Sequence, residues 1–174
     1  MIGFIAAGLV AASFQSKSVV TVPQVVAPLA PPKGEALLLR AFAEGAQVYE
    51  CRNDDTGLRW AFIGPEAELT DDGGHTIGKH YAGPTWEAID GSTVKAEVVT
   101  SVDATDPSAI PHLLLKAKEN GGNGVFAKVR SIQRLHTNGG RAPREACLDH
   151  DVGRRVRMRY LATYYFYGDP PAAY

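Results

Sequence analysis

At 174 residues, 45% of them hydrophobic and 21% charged, the chain has the size and balance of one globular domain, which excludes a disordered chain and makes two domains unexpected. Its formal net charge of -1 supplies no global field to recruit nucleic acid or an anionic membrane, so neither is expected as a partner. Any partner must be recognised locally.

Residues 1–14, MIGFIAAGLVAASF, form an apolar run, and Val10, Ala11 and Ala12 are small enough for a signal peptidase. The run predicts a signal peptide and a secreted or periplasmic protein, although no Lys or Arg precedes it. It is too short for a membrane span, which needs about 20 apolar residues. A buried N-terminal strand or helix is the competing reading. Residues 15–34 carry prolines at 23, 28, 31 and 32, which disfavour helix and central strand alike, and read as a tether ahead of a folded domain over residues 35–174.

Within that domain, residues 35–43 suit a short helix. Residues 47–51, 58–63 and 93–102 carry the β-branched and aromatic residues of strands, punctuated by turn signals at residues 54–57, 71–74 and 90–91. A second helix is expected over residues 110–120, with Pro111 in its first turn and Gly121 as its stop. Residues 125–137 fit either period; their flanking glycines and β-branched residues favour a strand. The clearest element is residues 156–166, where Val156, Met158, Tyr160, Ala162, Tyr164 and Phe166 share one face and Arg155, Arg157 and Arg159 the other. The pattern predicts an all-β domain, a β-sandwich or barrel with one or two short helices.

The two cysteines, Cys51 and Cys147, are far apart. In an exported chain an even pair predicts one disulfide, stabilising the fold by about 4 kcal/mol in the chain-entropy model. Two buried free thiols are the alternative, and a zinc site is disfavoured because neither cysteine has a second ligand at close spacing.

Several motifs together carry a family resemblance. They are Gln47-x-Tyr49-x-Cys51, Trp60, Gly64-Pro65-x-Ala67-x-Leu69, His80-x-Ala82-Gly83-Pro84-Thr85-Trp86-Glu87 and Asp90-Gly91-Ser92, followed by Ile110-Pro111-x-Leu113-Leu114-Leu115, Ile132-Gln133-Arg134, Gly139-Gly140, Cys147 and Tyr164-x-Phe166-Tyr167. In these the chain resembles the bacterial and fungal DUF3455 proteins over nearly everything after residue 34. The resemblance implies an exported β-rich domain and brings no activity with it. His112 stands where the family is associated with tryptophan, so no family-wide role attaches to it.

The densest polar chemistry lies in residues 75–94, HTIGKHYAGPTWEAIDGSTV. Trp86 with Glu87 and Asp90 is a palette for a carbohydrate or another small polar ligand, an apolar ring with carboxylates to accept hydrogen bonds. On a strand, however, Trp86 and Ala88 share one face while Thr85, Glu87 and Ile89 share the other, and Trp86 then reads equally as a core anchor. His75 and His80 lack a helix-face spacing and an obvious third ligand, so no metal and no cofactor is expected. His80 with Glu87 or Asp90 is a candidate acid/base pair, and Ser92 a nucleophile lacking the usual strand-to-helix elbow. A second polar cluster joins Gln133 and Arg134 to residues 137–141, where Arg134 or Arg141 is suited to fork onto a carboxylate or phosphate and the glycines equally suit a hairpin. The expected function is a non-catalytic ligand-binding or envelope-associated module using His80, Trp86, Glu87, Asp90, Gln133 and Arg134. The alternative is a small secreted hydrolase using His80, Glu87 and Asp90. Oligomeric state is not legible.

Overall fold

The computed structural model describes residues 21–170, so the expected signal peptide lies outside the described residues. Eight antiparallel strands form one closed barrel in chain order: β1 Ala36–Asp54, β2 Gly57–Thr70, β3 Thr76–Tyr81, β4 Thr85–Ala88, β5 Thr93–Val102, β6 His112–Gly121, β7 Val129–Gly139 and β8 Arg155–Gly168. Between the sandwich and the barrel that the sequence leaves open, the structure is the barrel. Closure comes from β1, which pairs with β2 on one side and β8 on the other, so that each described strand has a neighbour on both sides.

Both expected helices are strands. Residues 36–43 belong to β1 and residues 112–120 to β6, and the only helical pieces among the described residues are 3-10 turns at Ala27–Leu29 and Asp149–Asp151. The Ala- and Leu-rich composition of residues 36–43 favours a helix locally, but β1 pairs with two neighbours, and Ala41 and Ala43 are buried where small side chains leave room for the interior aromatics. Pro111 and Gly121 mark the ends of β6 as readily as those of a helix, because proline is tolerated ahead of a strand.

Inward positions divide the barrel into a packed half and an open half. Leu69, Val94, Leu115, Phe126, Ile132 and Phe166 fill the first around Trp86. Its floor is closed by residues 122–128, which turn Phe126 inward onto Phe166 with ring centroids 4.7 Å apart. The outer face of β6, β7 and β8 is covered by the chain's own N-terminal segment: Leu29 is 2% exposed and packs with Leu114, Leu135, Tyr165 and Tyr167. This part of the Pro-rich stretch lies on the barrel and is not a free tether.

The alternation read in β8 holds, with Tyr160, Ala162, Tyr164 and Phe166 inside. Arg155 and Arg159 face out and pair with Glu50 at 2.7 Å and Glu44 at 2.6 Å, while Arg157 pairs with Glu66. Pairing with β7 stops at Tyr160, so over residues 155–159 β8 is laddered to β1 alone, and the ion pairs of this row tie β8 to β1 and β2. The Cys51–Cys147 disulfide is formed, with Cα atoms 5.5 Å apart. It fastens the loop between β7 and β8 to the far end of β1, where the Trp60 indole N–H also donates to the Glu145 carbonyl at 2.9 Å.

A polar cavity at the open end of the barrel

At the end bearing the β1–β2, β3–β4, β5–β6 and β7–β8 connections, the interior holds a cavity of about 330 Å³. Aliphatic and proline side chains, including Ile63, Pro65, Ile110 and Leu113, together with aromatic rings make most of its wall. Phe62 and Val98 line it while being more than half exposed, so they mark its opening to solvent.

Set into that apolar wall are Gln47 of β1, His80 of β3, Trp86 of β4, Arg134 of β7 and Tyr164 of β8. His80 and Trp86 are cross-strand partners whose rings stack at 4.2 Å and 10°, with Tyr164 edge-on to both at 5.1 and 5.3 Å. His80 Nδ1 lies 2.8 Å from the Thr85 carbonyl. A carbonyl only accepts, so Nδ1 carries the proton and Nε2 of the neutral ring is an acceptor. Burial pulls the His80 pKa down to about 3, against the Thr85 hydrogen bond and with help from the Arg134 charge, so the ring is neutral at physiological pH.

Arg134 reaches inward from β7, donating from Nε and Nη2 to the Pro111 carbonyl at 3.1 and 2.9 Å. Among the described residues no carboxylate pairs with it, and no Asp or Glu lines the cavity. Burial raises the pKa of the Tyr160 and Tyr164 phenols, more than the nearby Arg134 charge lowers it, and both remain protonated donors. Four buried polar atoms lack a hydrogen-bond partner among the described residues: Gln47 Nε2, Trp86 Nε1, Tyr160 Oη and Tyr164 Oη. All but Tyr160 Oη belong to cavity-lining residues. Buried groups of this kind are normally satisfied, and an orphan costs about 1–3 kcal/mol.

The remaining residues named from the sequence lie elsewhere. Glu87 alternates with Trp86 onto the outer surface, where it binds Lys79 at 3.1 Å and accepts from the Tyr81 hydroxyl at 2.9 Å. Asp90 sits at the floor, accepting from the Ser92 backbone N–H at 2.8 Å, the Ser92 hydroxyl at 2.6 Å and the Val125 N–H at 2.9 Å. Gly124 has no space for a Cβ because the Asp90 carboxylate occupies it. Ser92 is fully buried there, accepting from the Phe126 N–H at 3.1 Å. His80, Glu87 and Asp90 therefore do not converge. Gln133 faces outward and straps the N-terminal segment down, donating to the Leu29 carbonyl at 2.5 Å and accepting from the Tyr167 hydroxyl at 2.7 Å. Arg141 is held by Asp103 at 2.6 Å and by the Ala109 carbonyl. His75 is exposed beside Asp71, and among the described residues no group of three or more His, Cys, Asp or Glu side chains gathers around a point that a metal would occupy.

Of the residues named from the sequence, His80, Trp86 and Arg134 line the cavity, and sequence reasoning missed Gln47 and Tyr164. Their signal was available: a polar atom on the inward face of a strand is the observation that asks for a partner.

The model of a family described as a protein of unknown function, DUF3455, matches residues 31–168. The chain belongs to the DUF3455 family. No curated protein and no solved structure matches the chain. The DUF3455 match spans all eight strands, and its first residues lie in the segment that leads from the strapped Leu29 into β1. Every residue of the cavity falls inside it.

Proposed function

We propose that this DUF3455 domain is an exported, non-catalytic binding protein that takes a small amphiphilic molecule into the open end of its barrel. The observation that carries this reading is the set of unpartnered polar atoms in the wall of an otherwise apolar cavity. A closed eight-stranded barrel has an interior wide enough either to be filled by side chains or to hold one small ligand, and this one is filled at its floor and hollow at its mouth. The cavity volume falls at the small end of the range of about 300–1,000 Å³ common to small-molecule sites. Among the described residues no Asp, Glu, Ser, Thr, Cys or Lys lines it, so none of these supplies a nucleophile or an orienter of a base at the ligand. The wide separation of His80, Glu87 and Asp90 likewise supports binding over hydrolysis. The disulfide and the apolar residues 1–14 support export. No helix among the described residues is long and apolar enough to cross a membrane.

The test uses 1-aminoanthracene, a neutral fluorophore that brightens in apolar surroundings. Wild-type protein should bind it saturably, and Leu113→Trp, which fills the cavity from β6, should weaken binding at least tenfold without lowering the melting temperature by more than a few degrees. Absence of binding, or binding indifferent to Leu113→Trp, defeats the reading. Export is tested separately by cell fractionation and N-terminal sequencing, and intact Met1 on cytoplasmic protein would refute it.

A further inference from the structure

We infer that the cavity selects a monoanion, a carboxylate carried on an apolar ring or short chain, and that Arg134 is its anchor. This rests on the binding reading above and names the class of ligand.

The charge distribution carries the argument. Arg134 is permanently cationic, half-buried, and bonded to a neutral carbonyl where a carboxylate would be the ordinary partner. The three outward arginines of β8, Arg155, Arg157 and Arg159, each have a glutamate to meet them. The inward arginine has none among the described residues. A cation facing a low-dielectric cavity without a counter-charge is costly, and a ligand carboxylate relieves that cost while forming charge-assisted hydrogen bonds. The bonds to Pro111 engage Nε and one N–H of Nη2, so the Nη1–Nη2 edge of the fork retains the geometry that accepts a carboxylate side by side.

The orphaned groups agree in sign. Trp86 Nε1 and Gln47 Nε2 are donors only, and the Tyr164 hydroxyl, set beside Tyr160 and Arg134, keeps its proton. A ligand head with several lone pairs and no proton to give fits donors of this kind, and an ammonium head does not. One acceptor, His80 Nε2, also belongs to a cavity residue and suits a hydroxyl or N–H on the ligand's body. Below that head the wall is aliphatic and proline-rich and the opening is framed by Phe62 and Val98, so the body of the ligand is apolar.

Isothermal titration with three probes of one body and different heads decides the matter: 4-phenylbutyrate, 4-phenylbutanamide and 4-phenylbutylamine. At neutral pH the acid should bind at least tenfold more tightly than the amide, with the amine weakest. Arg134→Gln should bring the ratio of acid to amide affinity down to about one. If Arg134→Gln fails to fold, Arg134→Lys keeps the charge without the planar fork and should retain only part of the advantage, and the wild-type ratio of acid to amide decides by itself. Equal affinities, or preference for the amide or amine, overturn the anion assignment. So does an acid preference that survives Arg134→Gln. If all three probes fail while 1-aminoanthracene still binds, the inference falls and the cavity reading stands; if the fluorophore fails too, both fall.

Discussion

The two ends of the barrel differ in how they treat their polar atoms. At the floor, the Asp90 carboxylate, the Ser92 hydroxyl and the Asn120 amide are all spent on the backbone of residues 122–129, and Phe126 seals the space beneath them. At the mouth, the Trp86 indole N–H, the Gln47 amide and the Tyr164 phenol have no partner among the described residues, beside a guanidinium that meets no carboxylate there. The lesson is that acidic residues rich in hydrogen bonds, which look functional in a sequence, are where the fold is being closed. On the binding reading proposed above, the ligand goes where the bonding is incomplete, since incomplete bonding leaves interaction energy for a ligand.

The comparison breaks first if the floor proves dispensable. Phe126→Ala should destabilise the protein by about 3–5 kcal/mol, the cost of truncating a fully buried aromatic, while any protein that remains folded binds 1-aminoanthracene as wild type does. Denaturant melts with fluorescence titration check this, and a selective loss of binding would mean that the floor and the mouth are one site. Removing the Cys51–Cys147 bridge as the double serine variant comes next, with an expected loss of about 2–5 kcal/mol, because the bridge holds the loop that flanks the open end. Intact-mass analysis after alkylation without reductant should find no free thiol in the wild type.

The third expectation is a pH dependence seated at the mouth. His80 titrates near 6.5 when unfolded and at about 3 in the barrel, so the folded state binds fewer protons between those values. Stability is therefore whole above about pH 6.5 and declines as pH falls toward 3, by up to about 1.4 kcal/mol per pH unit. His80→Phe retains an aromatic ring against Trp86 and lacks the titration. The stability of wild type relative to this variant should drop by about 2 kcal/mol between pH 7 and pH 5; a constant difference would place His80 in contact with solvent. The smallest effect sharpens the contrast most. Tyr164→Phe removes an orphaned hydroxyl and should raise stability by about 1 kcal/mol while weakening 4-phenylbutyrate about tenfold. A fall in stability would show that the hydroxyl is already satisfied and that the mouth is no different from the floor.

From the sequence by itself, the all-β class, the disulfide, the inward face of β8 and the opposed faces of Trp86 and Glu87 were all legible. Each depends on a local pattern: a period of two, a lone pair of cysteines, or side chains alternating along one strand. The helices expected over residues 35–43 and 110–120 were not corrected by any local signal, because Ala- and Leu-rich segments are helical by propensity and become strands only when neighbours on both sides supply the ladder. Barrel closure was likewise undecided, since it consists of β1 meeting β8 across more than a hundred residues of chain. The site was legible in fragments: His80, Trp86 and Arg134 were named for their chemistry, and Glu87, Asp90 and Gln133 were named beside them for the same reason. Only the tertiary structure separated the two groups, because a side chain's partners come from strands distant in sequence. The Asp90 carboxylate finds the Val125 N–H, Gln133 finds the Leu29 carbonyl, and Arg134 finds no carboxylate among the described residues.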